Sequence, residues 1–521
     1  MTRTTGISSC VLSEVGDTSH LLIHDTIVYW LRQEMKIDVG RVDYDTNIFE
    51  FGIDSLGSAS IAAELERETQ KTLNPEIVHE LQTINELAEY LDSLPCAGKL
   101  ADNLHTTSDS ALRKDGAFVR PTDESNSQDL IELYARLNKK VNSLQDRGLY
   151  FFEPVISEHD GAWVVADGHR MLMLASYEYL GLLGHPHLKQ AAIQAIEKFG
   201  TGHHGVRLLA GTTTVHRQLE AKLAEFMKAE DAVVYSSGYV ANLATISTLV
   251  GRGDCVIGDQ WNHASIVDGC RMSGADFLEY KHNDMFDLAK RLRESDGRRT
   301  LVVVDAVFSM DGDIIDLPSV VELCRTHNAL LMVDEAHSLG VLGKGGHGIQ
   351  EHFELEPDAI DVKMGTLSKT LAGCGGFVAG CREITTFLRH HARGYIFSGA
   401  LPAGQTSVAI AALEVLEQEP ERVERLWNNV RHYLSGLNQL GFSTGNSVTP
   451  IVPILTKTDE TALEMTRICR SEGLLVIPVC YPAVPMDAPR LRTCVSSHHS
   501  TSDIDFALDT LARAGRQTGL I

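Results

Sequence analysis

The groups able to do chemistry concentrate in two short stretches, Asp334-Glu335-Ala336-His337 and Gly365-Thr366-Leu367-Ser368-Lys369. The first follows the apolar run Leu330-Leu331-Met332-Val333, which reads as a buried parallel strand delivering a carboxylate and an imidazole at its C-terminal end. The second sets an amine behind two hydroxyls. An acid that keeps a ring nitrogen protonated, hydroxyls that cradle a phosphate and an amine that forms a Schiff base are what pyridoxal phosphate asks of a protein. Alone, a loop lysine is usually solvated, and an aspartate after a strand can be a helix N-cap. Here Ser368 and Thr366 offer hydroxyls beside Lys369, Gly373, Gly375 and Gly376 allow close backbone approach, and a buried Asp334 needs a partner. His337 is placed to bond the phenolic oxygen of the ring.

Three upstream segments converge on the same pocket. Ser236-Ser237-Gly238-Tyr239 precedes an apolar stretch from Val240 to Ile246, a strand-to-helix turn whose free N–H groups suit a phosphate. Asn262-His263-Ala264-Ser265 follows a strand and puts an imidazole where it can stack on a cofactor face. Val307 to Asp313 ends another strand and supplies the Ser309 hydroxyl.

The elements that must position these groups are visible as apolar runs. Ala232 to Tyr235, Cys255 to Gly258, Leu301 to Val304 and Leu330 to Val333 alternate with helical or loop segments, which predicts a mostly parallel sheet covered on both faces. After Pro402 the pattern changes: a helix over Ala403 to Gln418, a strand in Thr449 to Leu455 and another over Leu474 to Ile477 suggest a smaller α+β domain. The expected divisions are an N-terminal unit over 1–95, a flexible linker over 96–125 and a catalytic part over 126–521. Within the last, a large domain covers about 185–402 and a small one 126–184 with 403–521.

Together the motifs resemble the α-oxoamine synthases, fold-type I pyridoxal phosphate enzymes that join an amino acid to an acyl thioester and release carbon dioxide. The resemblance runs from about residue 130 to 515. It rests on Ser176 to Leu182, Arg207 through Gly211-Thr212 to His216, Ser237-Gly238-Tyr239, His263-Ala264-Ser265, Ser309 to Asp313, Asp334 to Gly340, Thr366 to Gly376 and Arg490-Leu491-Arg492. It implies Lys369 as Schiff-base lysine and acid/base, Asp334 and His337 on the ring, His263 stacked on it and donating to the thioester oxygen, and Thr366 and Ser368 on the phosphate. Ser237, Gly238, Tyr239 and Ser309 complete the cofactor set, and Arg492 and Tyr177 the substrate set, Arg492 gripping the amino-acid carboxylate. It also implies a homodimer, with Ser398 reaching the neighbouring subunit's phosphate. Tyr177-Glu178 and His337 to Gly340 resemble the serine palmitoyltransferase style, whereas pimelate- and glycine-using relatives often carry Asn-Asp or Asn-Asn before Tyr-Leu-Gly.

The N-terminal unit is a different object. Residues 1–95 hold 6 Lys+Arg and 17 Asp+Glu, a net of −11 out of the chain's −24. Helical periodicity runs from Ser19 to Met35, a loop follows, a second helix begins near Leu56, and a last one opens at Thr83. Phe51-Gly52-Ile53-Asp54-Ser55-Leu56 at the second helix start resembles the phosphopantetheine attachment site of acyl carrier proteins, although Ser55 could be an ordinary N-cap. A small helical carrier bundle modified on Ser55 by a phosphopantetheinyl transferase, and loaded by a further enzyme, is the expectation. Such an arm would bring an acyl thioester to the pyridoxal phosphate pocket. Free acyl-coenzyme A as donor, or a non-catalytic carrier scaffold, are the competing readings.

Bulk properties narrow the partners. With 70 acidic against 46 basic residues, nucleic acid and anionic membrane are disfavoured. Ten cysteines without a Cys-x-x-Cys pair argue against structural zinc. No secretory start and no spanning run lead to the expectation of a cytoplasmic protein without a metal.

Overall fold

The computed structural model describes residues 65, 83–93, 139, 141–481 and 483–521. The chain divides into two units, Met1–Ala135 and Arg136–Ile521. Ser55, the first expected helix and the expected linker lie outside the described residues.

In the first unit, helix α1 covers Ile84–Ser93. Its start is a capping box: the Thr83 hydroxyl accepts from the Glu86 N–H at 3.1 Å, and the Glu86 carboxylate accepts from the Thr83 N–H at 3.1 Å. Ile84, Leu87 and Ala88 are buried at helical spacing.

In the second unit a seven-stranded sheet has the order β4-β10-β9-β8-β7-β5-β6. Its strands are β4 (Asp231–Tyr235), β5 (Cys255–Asp259), β6 (Asp276–Tyr280), β7 (Thr300–Asp305), β8 (Leu330–Asp334), β9 (Val362–Thr366) and β10 (Gly376–Gly380). The central pairs are parallel, and β10 runs antiparallel between β4 and β9. Every residue of β7 is buried because both faces of the sheet are covered. Alternation then divides it, Val302 and Val304 packing into one core and Leu301 and Val303 into the other. Helices α2 (Pro186–Phe199) and α3 (Thr214–Phe226) precede β4, and α4 (Gly238–Leu249) and α5 (Ala264–Ser273) follow β4 and β5. Asp305 and Asp334 end neighbouring strands in register, so two carboxylates meet at the carboxyl edge of the sheet.

Two smaller sheets complete the unit. Strands β1 (Ile156–Asp160), β2 (Trp163–Ala166) and β3 (His169–Met173) form one with β12 (Leu474–Leu475); β11 (Ile451–Leu455), β14 (Arg490–Cys494) and β13 (Ile477–Val479) form the other. The run Leu474 to Ile477, expected as one strand, is therefore two: Leu474 and Leu475 pair with β3, and after Val476 the chain pairs with β14. The helix expected over Ala403 to Gln418 is present with those bounds. Among the described residues no helix is long and apolar enough to cross a membrane.

Candidate active site

A cavity of about 250 Å³ opens at the carboxyl edge of the large sheet. Asp334, from the end of β8, is 4% exposed. Its carboxylate accepts from the Asn242 side-chain amide at 2.7 Å and from the Ala336 N–H at 2.8 Å. Asp305 beside it accepts from the His263 N–H at 2.7 Å. Burial and the neighbouring Asp334 charge push the Asp305 carboxyl well above the usual carboxylate range. Two buried acids at adjoining strand ends make an environment that favours a cation.

His263 is the N-cap of α5. Its Nδ1 accepts from the Ser265 N–H at 3.2 Å and lies 2.7 Å from the Ser265 hydroxyl, which assigns the proton to Nε2. Burial lowers the His263 pKa, so the neutral ring keeps one N–H to donate.

Lys369 lies 2.8 Å from Nε2 of His337, whose Nδ1 lies 2.6 Å from the Tyr179 hydroxyl. Burial, with smaller contributions from the charges of Lys369, Arg492 and His263, holds the His337 pKa well below the ordinary histidine value. Burial also brings the Lys369 amine down to about 8, against the opposing pull of Asp334 and Asp305. An amine with that value is neutral and nucleophilic in mildly alkaline water. Tyr177, 46% exposed, covers it from outside, its ring centroid 5.9 Å from Nζ.

At the other end, Ser237 caps α4 by accepting from the Val240 N–H at 3.1 Å, leaving the helix start aimed at the cavity. The Thr366 and Ser368 hydroxyls stand 2.8 Å apart. A Cβ at Gly238 would come within 3.1 Å of the Thr366 hydroxyl, so glycine keeps this floor clear. Tyr239 contributes its ring while its hydroxyl bonds Asp268. An anion at the helix start, a ring nitrogen at Asp334 and an aldehyde at Lys369 suit the residues present, which fit pyridoxal phosphate.

Ser237, Gly238, Tyr239, His263, Ser309, Asp334, His337, Thr366, Ser368 and Lys369 all line this cavity. Three other expected residues do not. Arg492 donates from Nε to the Ser309 carbonyl at 2.8 Å, Tyr177 overhangs the amine, and the Ser398 hydroxyl sits 3.1 Å from that of Ser236 in the same chain. Asn242, Asp305 and Ser265 also line the cavity, and the sequence reading gave them no role. Asn242 is a polar residue inside the apolar stretch after Tyr239, a signal available in the sequence; its Oδ1 has no hydrogen-bond partner among the described residues.

Comparison with known proteins gives the same outline. The model of aminotransferase class I and II matches residues 169–511, and that of the phosphopantetheine attachment site matches residues 27–91. The 8-amino-7-oxononanoate synthase of Symbiobacterium thermophilum is 45% identical over 387 residues, covering 74% of this chain and 98% of the relative. That of Geobacter sulfurreducens is 43% identical over 385 residues, covering 73% and 98%. Among solved structures, a lysine-to-alanine variant of serine palmitoyltransferase from S. paucimobilis with a bound pyridoxal phosphate–myriocin aldimine superposes with a TM-score of 0.73 at 35% identity, covering 75% of this chain and 100% of the other. The 8-amino-7-oxononanoate synthase of Francisella tularensis gives 0.59 at 27%, covering 67% and 99%.

Proposed function

We propose that this chain, which belongs to the class I and II aminotransferases and within them to the pyridoxal phosphate-dependent α-oxoamine synthases, condenses an amino acid with an acyl group carried as a thioester on its own N-terminal domain. A carbon–carbon bond forms between the amino acid's α-carbon and the thioester carbonyl. The thiol leaves, the amino-acid carboxylate is lost as carbon dioxide, and an α-aminoketone is released. The observation that carries this reading is the meeting of Lys369, Asp334 and the Thr366 and Ser368 hydroxyls around one cavity.

When bound, pyridoxal phosphate supplies an aldehyde for amine exchange and a ring that takes up the electron pair left on the α-carbon. The chain supplies the rest. Asp334 would hold the proton on the ring nitrogen, and Asn242 and the Ala336 N–H keep its carboxylate oriented. Lys369 moves the α-proton. His263, which lines the cavity, would lie against the ring face and donate Nε2–H to the thioester oxygen, where negative charge gathers. Arg492 holds the substrate carboxylate with Tyr177 above it, and Ser237, Thr366, Ser368 and Ser398 serve the phosphate. A homodimer completes the site.

Ser55, once modified, carries the acyl group on a flexible arm, and tethering raises its concentration at the cavity to about the millimolar range. A second reading uses free acyl-coenzyme A: the relatives align over 98% of their length with 74% of this chain, so the fused carrier is an addition to what they possess. Intact-protein mass spectrometry after phosphopantetheinyl transfer and acyl loading, followed by a panel of amino acids, separates the two. Discharge of the acyl mass from Ser55 by one amino acid supports transfer from the carrier. An acyl mass that persists while free acyl-coenzyme A is consumed supports the second reading.

A further inference from the structure

His282 stands in the turn between β6 and the helix α6 (Met285–Glu294), outside the cavity and outside every motif of the sequence reading. Its Nδ1 is 3.0 Å from the Asp259 carboxylate at the end of β5, and its Nε2 is 2.8 Å from the Asp313 carboxylate in the loop after β7. Asp259 is 0% exposed and Asp313 is also buried. A carboxylate on each ring nitrogen requires an N–H on each, which only the imidazolium has. The ring lies sandwiched as well, stacked on Trp261 with centroids 3.8 Å apart and meeting Phe308 edge-on at 4.4 Å.

The two gripped loops are those that serve the cavity. Asp259 also accepts from the Trp261 and Asn283 N–H groups at 2.8 Å each, and two residues after Trp261 comes His263. Asp313 closes the loop containing Ser309, its carbonyl accepting from the Phe308 N–H at 3.1 Å. Arg492 also holds the Ser309 carbonyl. Asn283, with φ 53°, bonds the Ile314 carbonyl at 3.2 Å and accepts from the Asp316 N–H at 3.1 Å, bracing the same junction.

We infer that His282 is a positioning residue of the condensation: as an imidazolium between Asp259 and Asp313, it fixes the loop of His263 against the loop of Ser309 and so sets the opening of the cofactor cavity. Although burial opposes the charge, the bonds to Asp259 and Asp313 hold the His282 pKa up at about 9. Among the described residues, Tyr280, at the end of β6, and Asp305 are further titratable groups beside Asp259, and Asp311, paired with Arg490, lies in the loop that carries Asp313. Because the folded value is raised above the ordinary 6.5, the clamp is complete below pH 6.5 and is released as pH rises through about 9.

The inference rests on reading the cavity as the place of condensation, so its test uses one signal independent of catalysis. In the full-length chain without added cofactor, the emission of Trp261, isolated by subtracting a Trp261→Phe variant, is followed against pH. Loss of the stacked imidazolium changes it with a midpoint near 9, and His282→Gln abolishes the transition. In the loaded enzyme His282→Gln lowers kcat by about 10- to 100-fold when assayed well below the variant's own thermal midpoint, which falls because two buried carboxylates lose their cation, while the KM for the amino acid moves far less. A transition near 6.5, or kcat within about twofold of the parent, would overturn the inference. Should His282→Gln fail to fold, Asp313→Asn replaces it; its emission midpoint must fall below the parent's, and an unchanged midpoint overturns the clamp. If the parent condenses no substrate, the functional reading fails while the emission transition still reports the clamp.

Discussion

Lys369 is the residue on which the chemistry turns, and its environment gives it a testable pH dependence. Burial brings the amine to about 8, so the neutral fraction that attacks an aldehyde grows as pH rises through that value. The rate of cofactor uptake by the cofactor-free chain, followed by visible absorbance, should climb between pH 7 and 9 and level off above. A rate flat across that window would contradict the assignment. Lys369→Ala should abolish the protein-linked absorbance and lower turnover by roughly three orders of magnitude or more, a covalent and acid–base role being lost together. Most of the cavity-lining residues were legible because each sits in a short motif at a strand end: Ser237-Gly238, His263, Asp334, Thr366 to Lys369. Asn242 and Asp305 were not singled out. Asn242 lies inside an apolar run and Asp305 at the end of one, and their value comes from a neighbouring strand or helix that only tertiary packing brings close. Asn242 reaches Asp334 across 92 residues of sequence. Its replacement by alanine leaves Asp334 with one fewer donor, and weaker cofactor retention in dialysis is expected.

At the scale of elements, the strand-to-helix turn of β4 and α4 makes the phosphate end. Gly238→Ala pushes a methyl toward the Thr366 hydroxyl at 3.1 Å and should destabilise the loaded enzyme by about 1–3 kcal/mol. Thermal unfolding with and without pyridoxal phosphate checks it, the difference between the two midpoints shrinking in the variant. Four buried strands, β4, β5, β7 and β8, were legible as continuous apolar runs, and of these β5, β7 and β8 pair in parallel. Strand β10, Gly376-Phe377-Val378-Ala379-Gly380, was not read as a strand because its glycines look like loop. They serve close pairing instead: a Cβ at Gly376 would strike the α4 start at 2.6 Å. The split of Leu474 to Ile477 was hidden for a related reason. An apolar run shows burial but not which sheet edge receives each half, and that choice is made by β3 and β14.

For the whole molecule, the decisive fact is that a phosphopantetheine attachment site and an α-oxoamine synthase share one chain. Charge density had already set the first unit apart, since residues 1–95 hold −11 of the net −24. What the fusion does was not legible, because delivery of an arm depends on linker reach rather than on motifs. Ser55→Ala should leave cofactor absorbance and thermal midpoint unchanged while abolishing turnover of carrier-loaded acyl groups. The measurement that reaches the central claim most directly uses an amino acid labelled with isotopic carbon at its carboxylate, added to the acyl-loaded enzyme. One labelled carbon dioxide released for each acyl group lost from Ser55, with no release from the Lys369→Ala protein, is the predicted result. Acyl transfer with the label kept in the product, as an amide would keep it, would contradict the account.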